Sequence, residues 1–160
     1  MEPPYTLNLE TEPKASDINA ITLGLMAYND LHAKSTPKYV IITLRDGEQK
    51  IVGGLVGLAY LDWLHVQALW LQEELRGHGY GSSMLAKAEA EAIRLGCTGA
   101  CLETLSFQAL PFYQKRGYTI YGELADFPIG GKKYSLSKSL ASAPEATGSS
   151  GKSPLPLGED

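Results

Sequence analysis

The stretch that decides the fold runs from Leu69 to Gly96 and reads LWLQEELRGHGYGSSMLAKAEAEAIRLG. Its first residues are mostly apolar and alternate between two faces, which predicts a strand. A loop follows, Arg76 to Gly81, in which every second residue is a glycine. After the loop, apolar residues recur at helical spacing until Gly96, at Leu85, Ala88, Ala92 and Leu95. We therefore expect a strand, a glycine loop and a helix, with Ser82 or Ser83 capping the helix.

A glycine loop that opens a helix can bind an anion. The first N–H groups of a helix have no partner within it, and the helix dipole adds positive potential there. Glycine lets the main chain approach phosphate oxygens, and Arg76 adds a fixed charge. A nucleoside-triphosphate loop would need a lysine after its last glycine, and a dinucleotide loop would need a third glycine where Ser82 or Met84 stands. The stretch predicts a diphosphate-binding loop of another kind.

A second motif, SFQALPFYQKRGY from Ser106 to Tyr118, follows the next predicted strand, Thr98–Glu103. Its end reads aromatic-Tyr-x-Lys-x-Gly-aromatic, and the first loop reads Arg-x-x-Gly-x-Gly. With both motifs in this order, the chain resembles the GNAT N-acetyltransferase superfamily from about Tyr5 to Leu140. One departure stands out: GNAT proteins often have an asparagine seven residues before the motif's tyrosine, and here that position is Ser106.

The resemblance implies an α/β (α+β) fold with a mixed, mostly antiparallel central sheet of about six to seven strands, flanked by helices. Two central parallel strands splay apart in this fold, and the pantetheine arm of acetyl-CoA lies between them. Residues 1–140 are expected to form this domain. Residues 141–160 are rich in Ala, Ser, Pro and Gly and are expected to form a disordered tail.

Alternation and turn signals predict the remaining elements. A first strand is expected around Tyr5, Leu7 and Leu9, and then a helix capped by Ser16 or Asp17. Further strands are expected at 39–44, 51–61, 65–71, 118–124 and 132–138, and a short helix at 107–116. Glycines inside the 51–61 strand, at positions 53, 54 and 57, predict bulges or close backbone contacts.

Carried over residue by residue, the resemblance assigns an acetyl-CoA site. Its residues are Leu69, Trp70, Leu71, Arg76, Gly77, His78, Gly79, Tyr80, Gly81, Ser82 and Ser106. Tyr113 would protonate the departing thiolate, because a phenol with a pKa of about 10 matches an aliphatic thiol; its alternative is simple packing. Glu103 is a candidate for the base that takes the amine proton, and His65, Gln67 and Asp62 are others.

The acceptor side is less defined. Tyr28, Asn29 and His32 could line the acceptor cleft or simply end their helix. Trp63, Trp70, Phe107 and Phe112 could shape an acceptor pocket, although packing of the sheet is the commoner role of such residues.

The implied activity is acetyl transfer from acetyl-CoA to a primary amine, first of all that of a small molecule, with a homodimer possible. The alternatives are acetylation of a protein lysine or N-terminus and non-catalytic acyl-CoA binding. A net charge of −4 without a basic stripe argues against nucleic acid. The absence of an apolar run of about 20 residues argues against a membrane span. Cys97 and Cys101 have no neighbours with the spacing of metal ligands, so no metal is expected. The two cysteines are expected to be buried free thiols, and a cytoplasmic protein is expected for that reason.

Overall fold

The structure is a computed structural model, and residues 1 and 4–140 are described here. The chain divides into two compact units, Met1–Thr36 and Pro37–Asp160. The first unit contains helix α1, Ala15–Asp30. The second unit contains the sheet and the other helices. The predicted tail, 141–160, lies outside the described residues.

The first unit confirms the predicted helix and corrects two details. Lys14 precedes the first turn, so Ser16 and Asp17 lie inside the helix and the predicted capping is wrong. The predicted strand around Tyr5, Leu7 and Leu9 is also wrong, because residues 4–14 contain no strand. Alternation shows only which side chains would share a face, whereas a strand also needs an edge to pair with.

The second unit forms a mixed sheet. Its strands are β1 (Lys38–Arg45), β2 (Ile51–Tyr60), β3 (Trp63–Leu71), β4 (Gly99–Leu105), β5 (Thr119–Ala125) and β6 (Lys132–Ser139). Over the described residues these make one six-stranded sheet in the order β1-β2-β3-β4-β6-β5. The β3–β4 pair is parallel and the other neighbours are antiparallel. The predicted fold class is confirmed.

Two helices of this unit begin within the two sequence motifs. Helix α2 (Tyr80–Arg94) begins after Gly79, whose φ of 84° is left-handed. The helix therefore starts before Ser82 and Ser83, and their predicted capping role is wrong. Helix α3 (Leu110–Gln114) is shorter than the 107–116 that the pattern predicts, and begins beside a proline.

Helix α2 packs on strands β1, β2 and β3 and closes the core. The most deeply buried side chains of this core come from α2 and from the central strands; they include Leu55, Leu64, Leu85, Ala88, Ala92, Leu102 and Leu136. Helical spacing places the α2 members on one stripe, as predicted. One charged pair joins this core, since the Lys138 ammonium donates to both carboxylate oxygens of Glu89 at 2.8 Å.

Strands β3 and β4 pair over part of their length. Over the described chain, their parallel register joins Trp63–Val66 to Gly99–Leu102 and goes no further. The next residue of β3, Gln67, is the extra residue of a bulge, because Val66 faces Gly57 while Ala68 faces Val56 on β2. A bulge bends a strand and increases its twist. The carboxyl-terminal halves of β3 and β4 therefore splay apart, as predicted.

The paired and the splayed parts of β3 and β4 together form a fork. Its closed end, where the two strands pair, contains a close contact between an indole and a glycine. Trp63 is paired with Gly99 in the parallel register. A Cβ atom added to Gly99 would lie 2.6 Å from Cη2 of Trp63. That separation is shorter than carbon atoms tolerate, so the ring uses the space that the missing side chain leaves.

Replacing Gly99 with alanine should therefore destabilise the protein. We expect Gly99→Ala to lower the free energy of unfolding by about 1–3 kcal/mol, because the added methyl group forces the Trp63 indole away from its present position over residue 99. Gly47→Ala is the matched control, since no atom lies within 4 Å of its added Cβ, and it should change stability by less than about 0.5 kcal/mol. Urea denaturation of both variants measures the difference, and equal midpoints would contradict the packing argument.

Candidate active site

The splayed halves of β3 and β4 border a cavity of about 980 Å³. Its wall is made by the end of β3, the glycine loop, the first turn of α2, one residue of β4 and the segment around α3. The lining residues are Val66, Gln67, Ala68, Leu69, Trp70, Leu71, Arg76, Gly77, Gly79, Tyr80, Gly81, Ser82, Glu103, Phe107, Gln108, Ala109, Phe112 and Arg116. The cavity thus connects the first sequence motif to the second.

The glycine loop leaves its backbone open to a ligand. Gly77 and Gly79 have φ angles of 79° and 84°, and no atom lies within 4 Å of a Cβ added to either. No side chain caps α2, so in the described structure the amides of its first turn keep the unpaired donors of a helix start. A fifteen-residue helix adds its positive dipole end at the same place. These groups can bind a phosphate without a lysine.

Arg76 stands where β3 passes into this loop. Its Nε donates a hydrogen bond to the carbonyl oxygen of Leu71 at 3.3 Å, and its side chain lines the cavity. A bond through Nε leaves both terminal amino groups of a guanidinium free for a bidentate contact with an anion. The loop therefore combines neutral donors with one positioned positive charge.

A histidine and a glutamate bridge the two strands where the fork opens. His65 is paired with Cys101 in the parallel register, and Glu103 lies two residues further along β4, on the same face as Cys101. The Nε2 of His65 and the Oε2 of Glu103 are 2.9 Å apart. Glu103 also lines the cavity and is the one carboxylate among its described lining residues. The arrangement presents a hydrogen-bonded carboxylate to anything bound between the strands.

This geometry can be compared with known proteins. Residues 5–118 match the family model of the acetyltransferase (GNAT) family. The chain belongs to this family. The splayed strands, the glycine loop and the α3 segment therefore form the candidate site of an acetyltransferase of this family.

Three relatives support the same assignment. The chain is 41% identical over 109 residues to a blasticidin-S acetyltransferase of Streptomyces morookaense, a match that covers 67% of this chain and 80% of that protein. It is 38% identical over 112 residues to an acetyltransferase of Agrobacterium fabrum, covering 69% and 82% of the two chains. The crystal structure of an acetyltransferase from Bacillus cereus superposes with a TM-score of 0.72 at 31% identity, over 83% of this chain and 98% of that one.

Most of the predicted cofactor residues of the GNAT site lie together in the cavity. The residues that line it are Leu69, Trp70, Leu71, Arg76, Gly77, Gly79, Tyr80, Gly81 and Ser82. His78 and Ser106 are not among the lining residues. The Ser106 hydroxyl instead accepts the backbone N–H of Lys132 at 3.0 Å, where β6 begins. Ser106 occupies the position of the family's asparagine, but its hydrogen bond holds the first residue of β6.

Gln108 lines the cavity two residues further on. Its Oε1 accepts the backbone N–H of Leu105 at 2.8 Å and the hydroxyl of Thr104 at 3.3 Å. With the oxygen engaged in this way, the two N–H donors of the amide remain for a ligand. Sequence analysis missed Gln108 because the family's motif places its amide elsewhere.

Tyr113 lies beside the cavity and does not line it. Its side chain is 8% exposed, and its ring meets the rings of Phe112 and Tyr118 edge-on. Burial raises the pKa of the Tyr113 phenol. The hydroxyl is therefore protonated throughout the neutral range, which a proton donor requires. Phe112, one residue earlier, supplies the aromatic wall of the cavity.

Arg116 is a second cavity residue that sequence analysis missed. It occupies a variable position of the motif, between Lys115 and Gly117, where composition carries no signal. Its spacing of four from Phe112 was a usable signal, because residues four apart on a helix lie side by side. The two side chains do meet, with the guanidinium carbon 3.8 Å from the centroid of the phenyl ring.

Other predicted groups fall into three sets. Gln67 and Phe107 line the cavity. Tyr28 and His32 belong to the first unit, at the end of α1, where their ring centroids lie 5.1 Å apart and the ring planes are tilted by 53°. Cys97 precedes β4 and is buried, whereas Cys101 is half-buried within β4; burial raises the pKa of both thiols, as expected of packed cysteines.

Within residues 4–140 no three His, Cys, Asp or Glu side chains are grouped so that they could hold a metal ion. Among the helices of the same residues, none combines the length and the apolar character needed to cross a membrane.

Proposed function

We propose that this chain transfers an acetyl group from acetyl-CoA to a primary amine of a small molecule. The observation that carries the proposal is the continuous cavity that runs from the glycine loop to Glu103, between strands that do not pair there. The similarity of the chain to a protein named for blasticidin-S acetylation favours a small-molecule acceptor over a protein acceptor. One acidic side chain at the fork suits a cationic amine.

The residues of the first motif fit the coenzyme. The open glycines and the first-turn amides of α2 would hold the diphosphate, with Arg76 as the cation. The unpaired edge of β3 at Leu69, Trp70 and Leu71 offers main-chain groups to the pantetheine arm, in the manner of an added strand. Gln108 would add side-chain N–H donors opposite that edge. Acetyl-CoA, as the second substrate, would supply the thioester.

The reaction needs proton transfers at the nitrogen and at the sulfur. The protonated amine must lose a proton to become a nucleophile, and Glu103 would take it directly or through a water molecule, with His65 fixing the carboxylate. The amine nitrogen then bonds to the thioester carbon, an amide of β3 near Leu69 would stabilise the oxyanion, and the carbon–sulfur bond breaks. Tyr113 would give its proton to the departing thiolate, and the second proton that the nitrogen loses as the amide forms would restore the phenol, so that the products are an amide and a free thiol.

The whole proposal is tested by binding and turnover of the full chain. Titration calorimetry should detect acetyl-CoA binding, and thiol release should depend on an added acceptor. The panel should contain blasticidin S, simple primary amines, and peptides with free N-termini or lysines. We expect turnover with small amines and little with peptides.

Each other result assigns a different function. Turnover with peptides alone would identify a protein acetyltransferase. Binding without acceptor-dependent thiol release from any amine would identify a non-catalytic acyl-CoA module. A folded chain that does not bind acetyl-CoA would refute the proposal.

Removing the phenol of Tyr113 tests the proton donor. We expect Tyr113→Phe to lower kcat by about 100-fold with coenzyme affinity unchanged, because the phenyl ring keeps the packing. Tyr118→Phe is the matched control: it keeps the ring that meets Tyr113 edge-on, and Tyr118 does not line the cavity, so loss of its hydroxyl should leave kcat unchanged. Similar kcat values for the two variants would remove Tyr113 from the acid role.

Neutralising Glu103 tests the base. We expect Glu103→Gln to lower kcat/KM by about 100-fold, because an amide cannot take the proton of the amine. Glu48→Gln, in the turn after β1, provides a charge-matched control that should behave as wild type. An unchanged kcat/KM in Glu103→Gln would show that another group takes the proton.

A further inference from the structure

The cavity contains two arginines, Arg76 and Arg116, among its described lining residues. Each is anchored to a backbone carbonyl, Arg76 to Leu71 and Arg116 through Nη1 to Phe112 at 2.8 Å. Neither forms an ion pair, since the salt bridges of the described chain use other cations: His65, Arg94, Lys132 and Lys138. Two unpaired guanidinium groups in one cavity are unusual in a chain of net charge −4.

Arg116 is held in one orientation. Its guanidinium carbon lies 3.8 Å from the centre of the Phe112 ring, a stacked cation–π contact. Its Nε is buried, and within the described residues it has no hydrogen-bond acceptor. Burying a donor without a partner costs free energy, and an anion that reaches the guanidinium would recover part of that cost.

The stack also places Arg116 near the glycine loop. The Phe112 ring packs on the first turn of α2, where a Cβ added to Gly81 would lie 3.3 Å from its Cζ. The positive end of α2, Arg76 and Arg116 therefore border one cavity. A ligand with several negative charges is complementary to this lining.

Coenzyme A carries a diphosphate and, on its ribose, a separate 3′-phosphate. If the loop and Arg76 hold the diphosphate, Arg116 is the cation that remains among the described lining residues. We propose that Arg116 binds the 3′-phosphate and selects coenzyme A over 3′-dephospho-coenzyme A. This inference rests on the proposed function, and it assigns to Arg116 a specificity role within that site.

Calorimetric titration with the two coenzymes tests the assignment without any turnover. We expect the wild-type chain to bind coenzyme A about tenfold more tightly than the dephospho form, as one charge-assisted contact allows. Arg116→Gln should bind both forms equally, with its affinity for the dephospho form within about twofold of wild type. Arg76→Gln, the matched control, should weaken both by a similar factor and keep the wild-type preference.

Two results would overturn the assignment of Arg116: an unchanged preference in Arg116→Gln, whether or not both coenzymes bind more weakly, or a wild-type chain without preference. Arg116→Lys guards against a folding defect, since it keeps the charge and should retain a preference of about threefold or more. Loss of the preference in a folded Arg116→Lys would likewise count against a charge-based role. A wild-type chain that binds neither coenzyme would instead refute the proposed function.

Discussion

The site depends on a parallel strand pair that stops early. Strands β3 and β4 share a register from Trp63 to Val66, and then the bulge at Gln67 turns β3 away. Beyond that point β3 still pairs with β2 and β4 with β6, but the edges of β3 and β4 that face each other no longer pair. In the described chain these facing edges border a cavity instead of a neighbouring strand. A binding groove with an exposed strand edge is the direct consequence.

The two ends of the fork are held by different forces. At the closed end, the Trp63 indole fills the space over Gly99, a packing contact that leaves no room for a methyl group. Where the strands part, the His65–Glu103 hydrogen bond joins β3 to β4 through side chains. Beyond it, the Phe112 ring packs against Gly81 and joins the two motif helices across the cavity. Small residues and aromatic rings thus set the geometry, while charged residues face the space that they enclose.

Several errors of sequence interpretation have one physical origin. Tyr5, Leu7 and Leu9 alternate as a strand does, but strand formation depends on a partner edge that local sequence does not encode. Ser82 and Ser83 have the chemistry of caps, yet α2 begins earlier because Gly79 takes a left-handed conformation. Ser106 has the motif position of a cofactor contact, but the start of β6 engages its hydroxyl. In each case the outcome depends on what surrounds the residue and not on the chemistry of its own side chain.

By itself, the sequence determined the glycine loop and the helix that follows it, because glycine spacing and helical periodicity are local properties of the chain. The fold class followed from the resemblance that the two motifs carry. It also placed Arg76 and Glu103 near the fork through the order of the motifs. The tertiary structure alone decided that Gln108 and Arg116 line the cavity and that Tyr113 lies behind Phe112. Those positions follow from how α3 packs against the first turn of α2, and such contacts join residues about 30 positions apart, beyond the range of any local pattern.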